Sequence, residues 1–155
     1  MKRWLWYIGI IVVVAAISGK ASNGMDIAKL QPVQVVRVTC PEGQVLIETD
    51  TGDWGRGETL KDALKDMKAA ASREVFLDTA DYLIVSQDCV DLLPAMMKQL
   101  RPSCAVCMEE GEADMTQVGV FLQQHAPDVT LMEYRAGDHQ LQSLVTFEGR
   151  MELVS

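Results

Sequence analysis

The chain has 155 residues, a formal net charge of −8, 48% hydrophobic residues and 23% charged ones. That suffices for one domain with a hydrophobic core, not two, and the charges are too few and too interspersed for a disordered tail. The acidic balance disfavours nucleic acid and anionic lipid surfaces as partners, because both are held by clustered Lys and Arg.

Lys2 and Arg3 precede an unbroken apolar run from Trp4 to Ile17. The secretory machinery reads such a start and keeps its positive charges on the cytoplasmic side, so the remainder is expected to be extracytoplasmic. As a helix the run is about 21 Å long, against a hydrocarbon core of roughly 30 Å. Trp4, Trp6 and Tyr7 suit the interfacial belt, and Ser18, Gly19 and Ala21 lengthen the segment. Ala16-x-Ser18 and Gly19-x-Ala21 equally offer small residues for cleavage. Residues 1–21 are therefore either a retained signal anchor, an N-terminal hydrophobic helix holding a single-pass protein in the cell membrane, or a signal peptide whose loss leaves a secreted domain. The first Cys is Cys40, so no lipid attachment directly after the run is expected.

Residues 22–32 are polar, with Gly24 and Pro32 as breakers, and read as a tether; the extracytoplasmic domain is residues 33–155. Val33 to Cys40 alternates with β-branched enrichment and predicts a strand, Pro41-Glu42-Gly43 a turn, and Val45 to Thr49 an antiparallel partner. Thr51 to Gly57 reads as a glycine-rich loop, and Thr59 with Asp62 as the cap of a helix whose apolar face is Leu60, Ala63, Leu64, Met67 and Ala71. Glu74 to Leu77 and Tyr82 to Ser86 are strand candidates, and from Gln87 a helix carries Leu92, Leu93, Met96, Met97 and Leu100. A strand from Ser103 to Met108, a helix from Met115 to His125, a strand from Val129 to Tyr134 and a hairpin of Leu141 to Phe147 with Met151 to Val154 complete the chain. The expected fold class is α/β, a single domain with a mixed β-sheet and about three helices packed on it.

Cys104-Ala105-Val106-Cys107 is the one short motif with a chemical reputation, as a redox or structural disulfide or half a zinc site. A redox pair opens a helix, whereas this one falls in a predicted strand, where side chains three apart point to opposite faces. The remaining zinc donors, Cys40, Cys89, His125 and His139, are isolated from one another, so no metal ligands are assigned. Buried small hydrophobes explain the pair more simply, and four Cys permit three pairings.

The loop Gly52-Asp53-Trp54-Gly55-Arg56-Gly57 is neither a dinucleotide fingerprint nor a P-loop, and Asp53 and Glu58 would repel phosphate. It leaves Trp54 and Arg56 as candidate partner contacts. His125 suits a helix carboxyl end. Asp78, Asp81, Asp88 and Asp91 lack the glycine and terminal Glu of an EF-hand and read as a solvated rim. No catalytic constellation and no cofactor motif emerges.

From Asp26 onward the order of segments resembles the amino-terminal domain of the Ger(x)C spore germination protein family. Gly57-Glu58-Thr59-Leu60-Lys61-Asp62-Ala63-Leu64 looks like that family's G-x-T helix start. Arg73 to Leu77 and Tyr82 to Ser86 are similar to its next two strands, and Ser103 to Met115, with Glu110-Gly111-Glu112-Ala113, to its later strand and helix start. The family carries a lipobox Cys after its leader; here any anchoring falls to Trp4 to Ile17. The resemblance implies a membrane-anchored, non-enzymatic interaction module, linked to spore germination or sporulation, whose partner is a membrane protein. The alternative is an exported thiol-disulfide or metal-binding protein using Cys104 and Cys107.

Overall fold

The computed structural model describes residues 32–111, 113–137 and 139–155. The predicted leader and all of the tether except Pro32 lie outside the described residues. Seven strands form one mixed sheet: β1 (Val35–Thr39), β2 (Val45–Thr49), β3 (Trp54–Gly57), β4 (Tyr82–Ser86), β5 (Ala105–Glu110), β6 (Ser143–Phe147) and β7 (Arg150–Val154). Their order is β3-β2-β1-β4-β5-β6-β7. β1, β4, β5 and β6 run parallel, and β2, β3 and β7 are antiparallel additions at the two ends. The helices are α1 (Leu60–Ala70), α2 (Leu93–Met96), α3 (Met115–Gln124) and α4 (Leu131–Ala136), with short 3-10 turns at Pro41–Gly43, Leu77–Thr79 and Gln87–Leu92. The expected α/β fold with a mixed sheet and helices packed on it is the fold observed among the described residues.

The parallel strands are buried on both faces, as the runs Val35-Val36 and Leu83-Ile84-Val85 require. On one face Val36, Val38, Ile47, Leu83, Val85 and Val106 pack with Leu60, Ala63, Leu64 and Met67 of α1 and with Leu93, Met96 and Leu131. On the other, Val35, Ile84, Cys107 and Leu144 pack with Val118 and Leu122 of α3. α1 begins where the Thr59 side chain accepts the Asp62 N–H, as its cap signature predicts.

Three expectations need correction. The glycine-rich segment is a loop only to Asp53; Trp54–Gly57 is the edge strand β3. Its glycines do not break the chain. A Cβ on Gly55 would lie 2.3 Å from the Ala63 carbonyl oxygen and one on Gly57 2.5 Å from the Ala63 nitrogen, so the missing side chains let α1 lie against the strand. Glu74 to Leu77 forms no strand: Val75 and Leu77 are buried in a connector that ends in the 3-10 turn before β4. Val129 to Tyr134 is not a strand either. It contributes one isolated bridge, Ala105 to Thr130, and then turns into α4, where Thr130 and Glu133 form a reciprocal capping box.

Candidate functional site

Along β1 the side chains of Val35, Arg37 and Thr39 share the α3 face. α3 buries Val35, while Arg37 and Thr39 line an open cleft of about 710 Å³ at the carboxyl ends of the parallel strands. Leu46 and Glu48 of β2, Ser86 at the end of β4 and Glu109 near the end of β5 complete the principal lining. The register fixes this assembly, since Arg37 is opposite Glu48 and Ser86 is opposite Glu109. In α/β sheets this is the edge where ligands are held, because the strands there give way to loops. A disulfide joins Cys40, the residue after β1, to Cys89, three residues after β4, so the two strand ends that frame the cleft are tied covalently.

Arg37 organises the charges. Its Nε and Nη2 donate to Glu48 Oε2 at 2.9 and 2.7 Å, and its Nη1 donates to the Ala113 carbonyl at 2.8 Å and to Glu109 Oε1 at 3.3 Å. The guanidinium is thus shared, with its short bonds going to Glu48. Glu109, whose side chain is only 5% exposed, receives the long one. Burial consequently outweighs Arg37 and raises the Glu109 carboxyl above the usual carboxylate range. Beside it the Ser86 hydroxyl is buried with no hydrogen-bond partner among the described residues, an orphaned donor and acceptor that a bound group would satisfy. With Glu48, Asp88 and Glu109 against Arg37, the lining has a surplus of negative charge.

Trp54 and Arg56 come to the same surface. Trp54 is opposite Glu48 and Arg56 opposite Leu46, which puts both on the cleft's face of the sheet. Trp54 is 58% exposed. The candidate partner contacts therefore continue outward from the cleft across β2 and β3.

Cys104 and Cys107 are not brought together. Each is a free, buried thiol, Cys104 in the α1 core and Cys107 in the α3 core, on opposite faces of the sheet. Burial pushes both thiols up to about 12, so neither supplies a thiolate near neutral pH. The cysteines that are bonded are Cys40 and Cys89, one of the pairings the sequence left open. Among the described residues no cluster of three His, Cys, Asp or Glu has the geometry to hold a metal ion. The four aspartates are divided between the ends of β4, Asp78 and Asp81 before it and Asp88 and Asp91 after it. Asp81 is ion-paired with Arg101. His125 closes α3, its ring stacked on Phe121 at 4.7 Å between centroids.

Sequence reasoning missed Arg37, Glu48, Ser86 and Glu109. The signal was there for the first: a lone Arg inside Val-Val-Arg-Val-Thr is a charge a central strand does not carry without a partner. Its partners lie 11 and 72 residues away and only pairing identifies them. Comparison with protein-family models, with curated proteins and with solved structures finds no match for this chain.

Proposed function

We propose that this chain is a membrane-tethered, extracytoplasmic interaction module without enzymatic activity, which binds a basic extracytoplasmic segment of a membrane protein. The observation that carries the reading is the half of one sheet face that no described element covers, where exposed Trp54 adjoins an acidic cleft built around the shared Arg37 guanidinium. An aromatic beside surplus carboxylates suits a Lys or Arg side chain, held by the ring face and by charge. The Cys40–Cys89 bond supports export, since such bonds persist in oxidising compartments. The apolar run from Trp4 to Ile17 is the proposed tether. The resemblance to the Ger(x)C amino-terminal domain supports a role in spore germination or sporulation.

The test uses the full chain, tagged at its carboxyl end, chemically crosslinked in membranes of sporulating cells and purified with its partners. A polytopic protein is expected to co-purify with the wild type. Trp54→Ala and Asp88→Lys, both at exposed positions, should each lower its recovery roughly tenfold or more while leaving the circular dichroism spectrum and Tm of the protein unchanged. Equal recovery with all three proteins overturns the reading, as does a mature chain that begins after Ala21 and is free of the membrane.

A further inference from the structure

The two edges of the sheet are unlike. The β3 edge is four residues long, two of them Gly, and the Arg56 backbone N–H is taken by Asp66 Oδ2 of α1 at 3.0 Å. Short, occupied edges are how sheets avoid pairing with another chain. β7, at the opposite edge, has none of these protections among the described residues. Its five residues, Arg-Met-Glu-Leu-Val, run in unbroken register with β6 and include no Pro, Lys or Gly.

The hairpin geometry says which backbone groups are on offer. Glu148 and Gly149, with φ of 50° and 75°, form a two-residue loop, so the closing pair Phe147 and Arg150 turns its backbone groups inward. Met151 and Leu153 then present theirs outward. Arg150 and Glu152 project from one face, across from Phe147 and Val145, and neither forms an ion pair among the described residues. Phe147 and Val154 on that face are 71% and 45% exposed. Among the described residues this edge thus carries two opposite charges without ion-pair partners, two residues apart, between exposed apolar side chains.

We infer that β7 is the interface with a second copy of this chain, the two β7 strands pairing antiparallel about a two-fold axis at Met151. A two-fold perpendicular to the sheet keeps like faces together. This register sets Arg150 opposite Glu152 of the partner subunit, and Glu152 opposite Arg150 of the partner subunit, with Met151 exchanging backbone bonds with its own copy. These are non-hydrogen-bonded pairs, where side chains approach most closely. Centring the axis on Glu152 would pair the whole strand but would bring two carboxylates face to face. The charges therefore select the first register over the longer one.

Two measurements on the full chain test this. In native membranes, oxidative crosslinking of Met151→Cys should yield a disulfide-linked dimer that Leu153→Cys, opposite Gly149 in the proposed register, does not give. In detergent, sedimentation should find a dimer for the wild type. Arg150→Glu and Glu152→Arg should each weaken it at least tenfold, and the double variant R150E/E152R should restore it. Both positions are exposed, so the variants are expected to fold, and a wild-type circular dichroism spectrum verifies it. A monomeric wild type overturns the inference. So does a dimer indifferent to all three variants, or one that the double variant does not restore.

Discussion

Single residues carry much of this fold by what they lack or what they share. Gly55 is the sharpest case, because the Ala63 carbonyl oxygen and the Met67 nitrogen lie 2.3 and 2.4 Å from where its Cβ would be. Those are backbone atoms of α1, which have no rotamer to move aside, so Gly55→Ala must push the helix off the sheet. The expected cost is about 3 kcal/mol, at the upper end of overpacking effects, read as a lower urea midpoint with unchanged m-value. At Gly52, where φ is 84° and nothing lies within 4 Å, an Ala strains only the turn. Arg37 is the counterpart in charge. One guanidinium serves two carboxylates and a carbonyl, so the site depends on a side chain that in the sequence is one position in an alternating strand.

At the scale of elements, the strands were the more legible part and the connections the less. β1, β2, β4, β6 and β7 fall where alternation or an apolar run marks them, because burial on a pleated surface writes a period of two into the sequence. Residues 129–134 read as a strand although Thr130-Leu-Met-Glu133 carries a capping-box signature, and they form α4. The β-branched pair Val129 and Thr130 dominated a window too short to resolve a helix of two turns. The Cys40–Cys89 bond belongs to this scale, since it joins the end of β1 to the 3-10 turn after β4, 49 residues on. Closing a loop of that length limits the unfolded chain, so the variant C40A/C89A should lose about 2–4 kcal/mol, measured by urea unfolding without reductant. The same variant should weaken partner capture, as the strand ends that frame the cleft lose their tie.

For the whole molecule, two carboxyls give stability a pH dependence of opposite sign. Glu109 has a folded-state pKa raised chiefly by burial, so the folded protein takes up its proton more readily than the unfolded chain does. Its contribution is fully present below the ordinary carboxylate range and is lost as pH rises through the raised value. Glu133 is held low by the Thr130 backbone and hydroxyl bonds. Its contribution is present above the ordinary range and lost as pH falls. The difference in unfolding free energy between wild type and Glu109→Gln should therefore shift toward the variant as pH rises from 4 to 7, while for Glu133→Gln the difference should move the opposite way, toward the variant as pH falls below the ordinary carboxylate range. Parallel pH profiles for the two variants would count against these environments.

The α/β class, the identity of most strands, the amino-terminal cap of α1 and the opposite-face placement of Cys104 and Cys107 are legible in the chain alone, because these follow from hydrophobic period, from strand alternation and from side chains that bond within a few residues of themselves. The cleft and the Cys40–Cys89 pairing exist only in the assembled sheet. Each of those depends on which strands become neighbours and in what register. Arg37 meets Glu109 only because β4 lies between β1 and β5 and all three run parallel. Local sequence cannot specify that order, since the free energy that selects it comes from burying both faces of the completed sheet.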